Sequence, residues 1–197
     1  MSKLRRLVLM RHGETTGQSS IRFHGSTDVA LSDEGRAQMR TAARGLAQEC
    51  FDLVVASALR RSWQAAAIVA AGAPVRLEHG FNEIDFGRWE GLTKEEIEAS
   101  DPVPYADWQA KLEDFEFPGG ETRADFRTRV EQGLERLRAS GATSVLVVVH
   151  KGTVRSIAES LLGKPLEDGE PPLAGTLGLS RAPEGSWLLG RRGSDPR

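Results

Sequence analysis

The clearest strand in this sequence is the stretch Ser144-Val145-Leu146-Val147-Val148-Val149-His150. Its aliphatic residues form an unbroken run, without the alternation of polar and apolar positions that marks a half-buried strand. Such runs are typical of strands covered on both faces, as in the parallel sheets of α/β proteins. Residues 153–162 follow with the spacing of an amphipathic helix, so this region predicts a strand-helix unit.

The same alternation of strand and helix extends through most of the remaining chain. Further strands are predicted at residues 7–10, 52–56, 75–77, 177–181 and 187–189. Further helices are predicted at residues 32–48, 59–71 and 122–140. Together these elements predict an α/β fold, a three-layer sandwich with a mostly parallel central sheet flanked by helices.

Residues 83–121 interrupt this alternation. They are rich in turn-forming and acidic residues and contain one short predicted helix near residues 94–100. Thr93 and Glu96 have the spacing of a capping box at the start of that helix. We therefore expect a single domain over residues 1–197, with residues 83–121 as a small lid insertion and residues 191–197 as a flexible tail.

Composition limits the partners and the location of the protein. The net charge of −2 and the pI near 6.1 give no reason to expect nucleic acid or an acidic membrane as a partner. The apolar run at residues 7–10 is shorter than a signal-peptide core of about 7–15 residues. No segment approaches the roughly 18 apolar residues of a membrane span. We expect a cytoplasmic protein, for which a homodimer is permitted but not specified.

Cys50 is the single cysteine of the chain, so an intrachain disulfide and a cysteine-based metal site are both excluded.

Other polar residues of interest follow the predicted strands. Arg11 and His12 follow the first strand, Arg61 comes shortly after the second, and His150 follows the strand at 144–149. Ligands in open α/β sheets bind beyond the carboxyl ends of the strands, so these groups should meet at one crevice. Two arginines and two histidines at one point favour an anion such as phosphate.

Several motifs show a resemblance to a known family. The segment Leu9-Met10-Arg11-His12-Gly13-Glu14-Thr15 resembles the signature of the histidine phosphatase superfamily, the phosphoglycerate-mutase-like family. Further matching segments follow in the family's order at residues 24–28, 31–35, 57–64, 82–91, 118–121 and 150–155. One such motif would be weak evidence, but the ordered set over residues 7–155 identifies the chain as a member.

The resemblance implies a mechanism and a set of catalytic residues. His12 attacks the phosphorus while Glu83 donates a proton to the leaving alcohol, and Glu83 then acts as base when water hydrolyses the phosphohistidine. Arg11, Arg61 and His150 hold the equatorial oxygens and stabilise the charge of the transition state. Because the arginines and the histidine neutralise the charge of the phosphate, no metal and no other cofactor is expected.

The expected substrate-binding set includes three departures from the usual family pattern. Gln18 stands where asparagine is common, and His24 stands where glutamine or serine is common, just before Gly25. Lys151 replaces the glycine that commonly follows the second histidine, and it would be strained if that position required a positive φ. Gly152 completes the set.

Three functions are compatible with these residues. We expect metal-independent hydrolysis of a small-molecule phosphomonoester through a phosphohistidine. A cofactor-dependent phosphoglycerate mutase shares the first step, but it must exclude water and bind a second anionic group. Acidic residues between Glu95 and Glu116 outnumber Lys94 and Lys111, which favours a substrate whose remainder is neutral, apolar or cationic. A non-catalytic binding module with a decayed site is the third alternative.

Overall fold

A mixed six-stranded sheet forms the centre of the protein. The computed structural model describes residues 3–112, 114–167 and 169–193. The strands are β1 (Arg6–Arg11), β2 (Leu53–Ala56), β3 (Val75–Leu77), β4 (Ser144–Val149), β5 (Thr176–Arg181) and β6 (Trp187–Gly193). Their order is β3-β2-β4-β1-β5-β6, in which β3, β2, β4 and β1 are parallel, β5 runs antiparallel to β1, and β6 runs antiparallel to β5. The predicted, mostly parallel sheet is confirmed.

Helices cover both faces of this sheet. They are α1 (Asp33–Gly45), α2 (Arg60–Val69), α3 (Lys94–Ser100), α4 (Pro102–Gln109), α5 (Arg123–Ala139) and α6 (Lys151–Leu162). One apolar cluster joins α5 and α6 to one face, and a second joins α1 and α2 to the other face. In β1, Leu7 and Leu9 belong to the first cluster while Val8 and Met10 belong to the second. This period of two confirms the three-layer sandwich.

Local sequence signals set most helix boundaries. Ser32 caps α1 by accepting a hydrogen bond from the Gly35 N–H, and Thr93 and Glu96 form the predicted capping box of α3. Helix α4 was not predicted, because its prolines are ordinarily turn signals. Pro102 instead occupies the first turn, where a missing N–H costs no helical hydrogen bond.

The insertion at residues 83–121 has a small apolar cluster of its own. Its buried members are Trp89, Ile97, Tyr105 and Phe115. The Trp89 indole N–H donates to Asp101 over 3.0 Å, which fastens the 3₁₀ turn at Gly87–Trp89 to the end of α3. The segment is therefore a packed unit beside the main sheet rather than an extended loop.

The chain ends in a hairpin, in which β5 pairs with β6. Residues 191–193 of the expected flexible tail belong to β6, whereas residues 194–197 lie outside the described residues. Throughout the part of the chain that the structure describes, no helix combines the length and apolar character that a membrane span requires. A single domain over residues 1–197 stays a prediction.

Candidate active site

The strand order brings the candidate residues to one edge of the sheet. Strands β1 and β4 are parallel neighbours, and Arg11 lies opposite Val149, so the next residues, His12 and His150, emerge side by side. Their ring centroids are 5.2 Å apart with an interplanar angle of 62°. Strand β2 lies on the other side of β4 and leads into α2, which carries Arg61 in its first turn.

His12 is held in one tautomer. It is buried, and its Nδ1–H donates to the Gly13 carbonyl oxygen over 2.7 Å. A carbonyl oxygen can only accept, so the ring proton lies on Nδ1 and the lone pair lies on Nε2. Burial, and next the charge of Arg61, hold the pKa of His12 well below its ordinary value. The neutral ring can therefore act as a nucleophile through Nε2.

His150 has both ring nitrogens engaged. Its Nδ1 accepts a hydrogen bond from the Arg61 Nε–H over 3.2 Å, so its proton lies on Nε2, which donates to the Ser57 hydroxyl over 2.6 Å. Burial, and next the charge of Arg61, hold the pKa of His150 well below its ordinary value. Direct contact between His150 and a phosphate stays a prediction, since it requires one ring nitrogen to leave its present partner. Either the Nε2–H leaves the Ser57 hydroxyl, or Nδ1 leaves Arg61 and gains a proton.

Arg61 lies behind this arrangement. Its side chain is fully buried, and it donates to the backbone carbonyls of Thr27 over 2.7 Å, His24 over 2.9 Å and Gly25 over 2.7 Å. These bonds fasten the loop at 24–27 to the strand ends. The expected direct contact with phosphate does not follow from this geometry, because Arg61 does not line the cavity and supports His150 from behind.

Arg11 and Glu83 face the cavity itself. The Arg11 Nε is buried and has no hydrogen-bond partner among the described residues, so a donor beside His12 is available to an anionic oxygen. Glu83 is 5% exposed. Burial raises the pKa of its carboxyl group above the ordinary value, although two backbone N–H groups and the charges of Arg61 and Arg11 oppose this. A raised pKa keeps the acid form available at higher pH.

Gly152 positions the Glu83 carboxyl group. The Gly152 N–H donates to Glu83 Oε2 over 2.8 Å, and the Ile84 N–H donates to Oε1 over 3.1 Å. A Cβ atom at residue 152 would lie 2.6 Å from Glu83 Oε1, so any other residue there would displace the carboxyl group. Gly152, which was expected to bind substrate, lines the cavity but also orients the candidate acid.

Arg129 is a residue that sequence reasoning missed. From α5, its guanidinium donates to the carbonyls of Gly80 over 3.0 Å, Asn82 over 2.7 Å and Glu83 over 2.9 Å. It also pairs with Glu121 over 2.6 Å. The loop that carries Glu83 is thus held through its backbone. Glu121 lies in the quoted motif at 118–121, but Arg129 had no signal because it is an ordinary residue of a charged helix.

The site widens into a cavity of about 990 Å³. We call its floor the group formed by Arg11, His12 and His150 at the strand ends and by Glu83 of the loop after residue 81. One wall is aromatic and consists of Phe23, Phe86, Trp108, Phe117 and Phe126. We call its mouth the exposed basic residues Lys94, Lys111, Arg127 and Lys151. Within the described ranges, no group of three or more His, Cys, Asp or Glu is arranged to hold a metal ion.

Comparison with known proteins decides the family. A family model for the histidine phosphatase superfamily (branch 1) matches residues 7–182. The chain belongs to the histidine phosphatase superfamily. The predicted membership and the predicted enzyme class, a phosphomonoesterase, are both confirmed.

Individual relatives of this histidine phosphatase cover most of the chain. Glucosyl-3-phosphoglycerate phosphatase of Mycolicibacterium vanbaalenii is 32% identical over 196 residues, covering 94% of this chain and 84% of that protein. Phosphoserine phosphatase 1 of Hydrogenobacter thermophilus is 32% identical over 164 residues, covering 82% and 78%. The crystal structure of alpha-ribazole phosphatase from Shigella flexneri has a TM-score of 0.83 at 26% identity and covers 96% of each chain.

Gln18 and Gly25, two expected substrate contacts of this histidine phosphatase, do not line the cavity, and their role in binding stays a prediction. Gln18 has a φ of 60° and is exposed beside a separate shallow depression that Thr15 and Ser32 also line. This left-handed turn, closed by the Gln18 N–H donating to the Thr15 carbonyl, keeps residue 18 off the cavity wall. Gly25 also does not line the cavity, because its N–H donates to Glu90 over 3.0 Å and its carbonyl accepts from Arg61.

The other two departures from the family pattern do line the cavity of this histidine phosphatase. The His24 Nε2–H donates to the Gly17 carbonyl over 2.7 Å, and its buried Nδ1 lacks a partner among the residues described. Lys151 is the first residue of α6 and is exposed at the mouth. Its φ is not positive, so the strain expected for a lysine at that position does not arise.

Proposed function

We propose that this protein hydrolyses a small-molecule phosphomonoester without a metal, through a phosphohistidine formed on His12. The observation that carries the proposal is the tautomer of His12. The Gly13 carbonyl holds the proton on Nδ1, which leaves the Nε2 lone pair free for attack. The unpartnered Arg11 Nε and the acidic Glu83 share the same floor. A nucleophile, an anion-binding donor and an acid are the parts that the reaction needs.

The first step transfers the phosphoryl group to the enzyme. His12 Nε2 forms a bond to phosphorus as the bond from phosphorus to the ester oxygen breaks. The proton on the Glu83 carboxyl group moves to that oxygen, so the alcohol leaves neutral. Arg11 stabilises the equatorial oxygens, and Arg61 contributes positive charge from behind His150.

The second step returns the enzyme to its starting state. Water attacks the phosphorus, the bond to Nε2 breaks, and the ionised Glu83 takes a proton from that water. The released phosphate restores neutral His12 and protonated Glu83. One carboxyl group therefore serves both steps, and its raised pKa suits the proton transfer of the first.

The relatives favour hydrolysis over the alternatives. Both curated relatives named above are phosphatases, which supports a phosphatase over a phosphoglycerate mutase. The intact floor argues against a decayed binding module, because His12, Glu83 and Arg11 all lie in the cavity. The absence of a nucleic-acid partner belongs to the same proposal and is supported by the net charge of −2. A cytoplasmic location stays a prediction. A homodimer stays a prediction that a mass measurement in solution would decide.

The test is an assay of chelator-treated protein with p-nitrophenyl phosphate between about pH 5 and pH 8. Wild-type turnover should survive chelation, and His12→Ala should lower kcat by about 10⁴-fold or more. A phosphohistidine is hydrolysed in acid, so the reaction is quenched in alkali. This quench should capture labelled phosphate on the wild-type protein and none on His12→Ala. His79→Ala, at an exposed position, is the matched control. Full activity in His12→Ala would overturn the mechanism.

A further inference from the structure

The acidic residues between Glu95 and Glu116 do not face the cavity. None of those described lines the cavity: Glu95, Glu96, Glu98, Asp101, Asp107, Asp114 and Glu116. Three of them have structural partners instead. Glu96 pairs with Arg22 over 2.8 Å, Asp101 accepts from Arg88 and Trp89, and Glu116 accepts from the Arg123 N–H. The sequence-based argument that an acidic lid disfavours an anionic substrate is therefore wrong.

The two lysines of the same insertion do face the cavity. Lys94 and Lys111 line it, together with Arg127 of α5 and Lys151 of α6. No ion pair is found for these four residues within the described ranges. Three further acidic groups that line the cavity have partners of their own. Glu170 pairs with Arg155, Glu131 with Arg138, and Glu159 accepts from the Leu166 N–H. The mouth therefore has a net positive field.

Lys111 provides a second, independent observation. Its φ is 55°, in the left-handed region just beyond the end of α4, where glycine is the usual residue. A lysine is strained in this conformation, and glycine at the same place would relieve that strain. The strained residue lines the cavity, three residues after Trp108, which contributes to the aromatic wall.

The size of the cavity shows that the phosphate occupies a small part of it. About 990 Å³ lies at the upper end of the range for small-molecule sites. The aromatic wall lines the same space as the floor and the mouth. A substrate whose phosphate rests on the floor would thus extend along this wall and present its far end to the cations.

We propose that the natural substrate is a phosphomonoester whose leaving group carries a second anionic group, a carboxylate or a second phosphate. Lys94, Lys111 and Arg127 bind that group at the mouth while the ester phosphate lies on the floor. This inference rests on the proposed hydrolysis and names its substrate class. Exposed cations give charge selectivity that salt weakens, which makes the binding testable apart from the chemistry.

The experiment compares esters that differ in one charged group. 3-Phosphoglycerate and glycerol 3-phosphate differ by a carboxylate against a hydroxymethyl group. Fructose 1,6-bisphosphate and fructose 6-phosphate differ by the second phosphate. Wild type should favour the anionic member of at least one pair by about tenfold in kcat/KM. The pair that shows the preference identifies the anion as carboxylate or phosphate, and ratios near one in both pairs would overturn the proposal.

A variant assigns the preference to the mouth. Lys111→Gly removes the cation and the backbone strain together, so poor folding cannot explain its loss of selectivity. The preference should fall by about fivefold or more in this variant, and likewise when sodium chloride is raised from about 0.05 M to about 0.5 M. Ala71→Gly is the matched control, since Ala71 also has a positive φ, of 49°, but lies outside the cavity. It should keep the wild-type ratio.

The outcomes of the two proposals are separable. A preference that neither Lys111→Gly nor salt reduces would overturn the role of the mouth. The role would also be overturned if Lys111→Gly lowered kcat/KM equally for both esters of a pair. Neither result would contradict the hydrolytic mechanism. That mechanism is tested separately with His12→Ala and p-nitrophenyl phosphate, whose leaving group carries no second anionic group.

Discussion

The floor and the mouth of the cavity differ in how their charges are held. On the floor, His12 and Glu83 are buried, and hydrogen bonds to the backbone set their tautomer and orientation. At the mouth, Lys94, Lys111 and Arg127 are exposed, and no ion pair is seen for them in the described part of the chain. Buried groups interact strongly because water does not screen them, whereas the exposed cations act weakly and depend on salt. The floor thus suits chemistry and the mouth suits selection.

After the loss of His12 itself, the largest effect of a change on the floor is expected from removing the Glu83 proton. Glu83→Gln should lower kcat by about 10²–10⁴-fold for alkyl phosphates, since an alkoxide is a poor leaving group without a general acid. With p-nitrophenyl phosphate the first step needs little proton transfer, so a rapid burst of p-nitrophenol should persist. Stopped-flow absorbance measures that burst. Equal slowing of the burst and of alkyl-ester turnover would contradict the role of Glu83 as the acid.

A smaller effect is expected from the support beneath the floor. Arg129→Lys cannot reproduce the planar fork that contacts three carbonyls and Glu121. It should lower kcat by about tenfold, with a smaller change in KM. The reason is that Glu83 is displaced while the substrate-binding site stays in place. Steady-state kinetics separates the two constants.

Arg136→Lys is the control for this prediction. Arg136 lies on the same helix and pairs with Glu78 over 2.7 Å, away from the Glu83 carbonyl. Both variants should lose roughly 1–3 kcal/mol of unfolding free energy, but only Arg129→Lys should lower kcat. A comparable fall of kcat in both would show that Arg129 has a merely structural role.

The smallest effect concerns stability and the burial of the floor. The pKa of His12 is held well below its ordinary value by burial and then by Arg61. The unfolded chain therefore takes up the proton first, and stability is full above pH ~6.5 and is lost as the pH falls toward the depressed pKa. His12 should contribute a slope of at most about 1.4 kcal/mol per pH unit in that window.

His12→Asn tests this slope because asparagine keeps a donor for the Gly13 carbonyl but cannot titrate. The free energy of unfolding, measured in urea at about pH 5, 6 and 7, should depend less on pH in this variant than in wild type. His79→Asn, at an exposed position, serves for comparison. An unchanged slope in His12→Asn would show that His12 is not held neutral by the fold.

Most of the fold and part of the site could be predicted from the sequence. Strand β4 was recognised from its aliphatic run, and the start of α3 was recognised from its capping box. Placing His12 and His150 at one crevice followed from the rule that parallel strands share a carboxyl edge. The positions of Gln18 and Gly25 were not predictable in this way, since each depends on a loop whose contacts come from distant segments.

Sequence alone determined the features that repeat locally, namely strand burial, helix caps and the ordered motifs that carry the family resemblance. Only the tertiary structure decided which charges of residues 83–121 turn toward the substrate. It also decided that Arg61 supports His150 and that Arg129 supports Glu83, across 89 and 46 residues of chain. Periodicity specifies the face of a strand or helix, but in an irregular insertion the direction of a side chain depends on its partners.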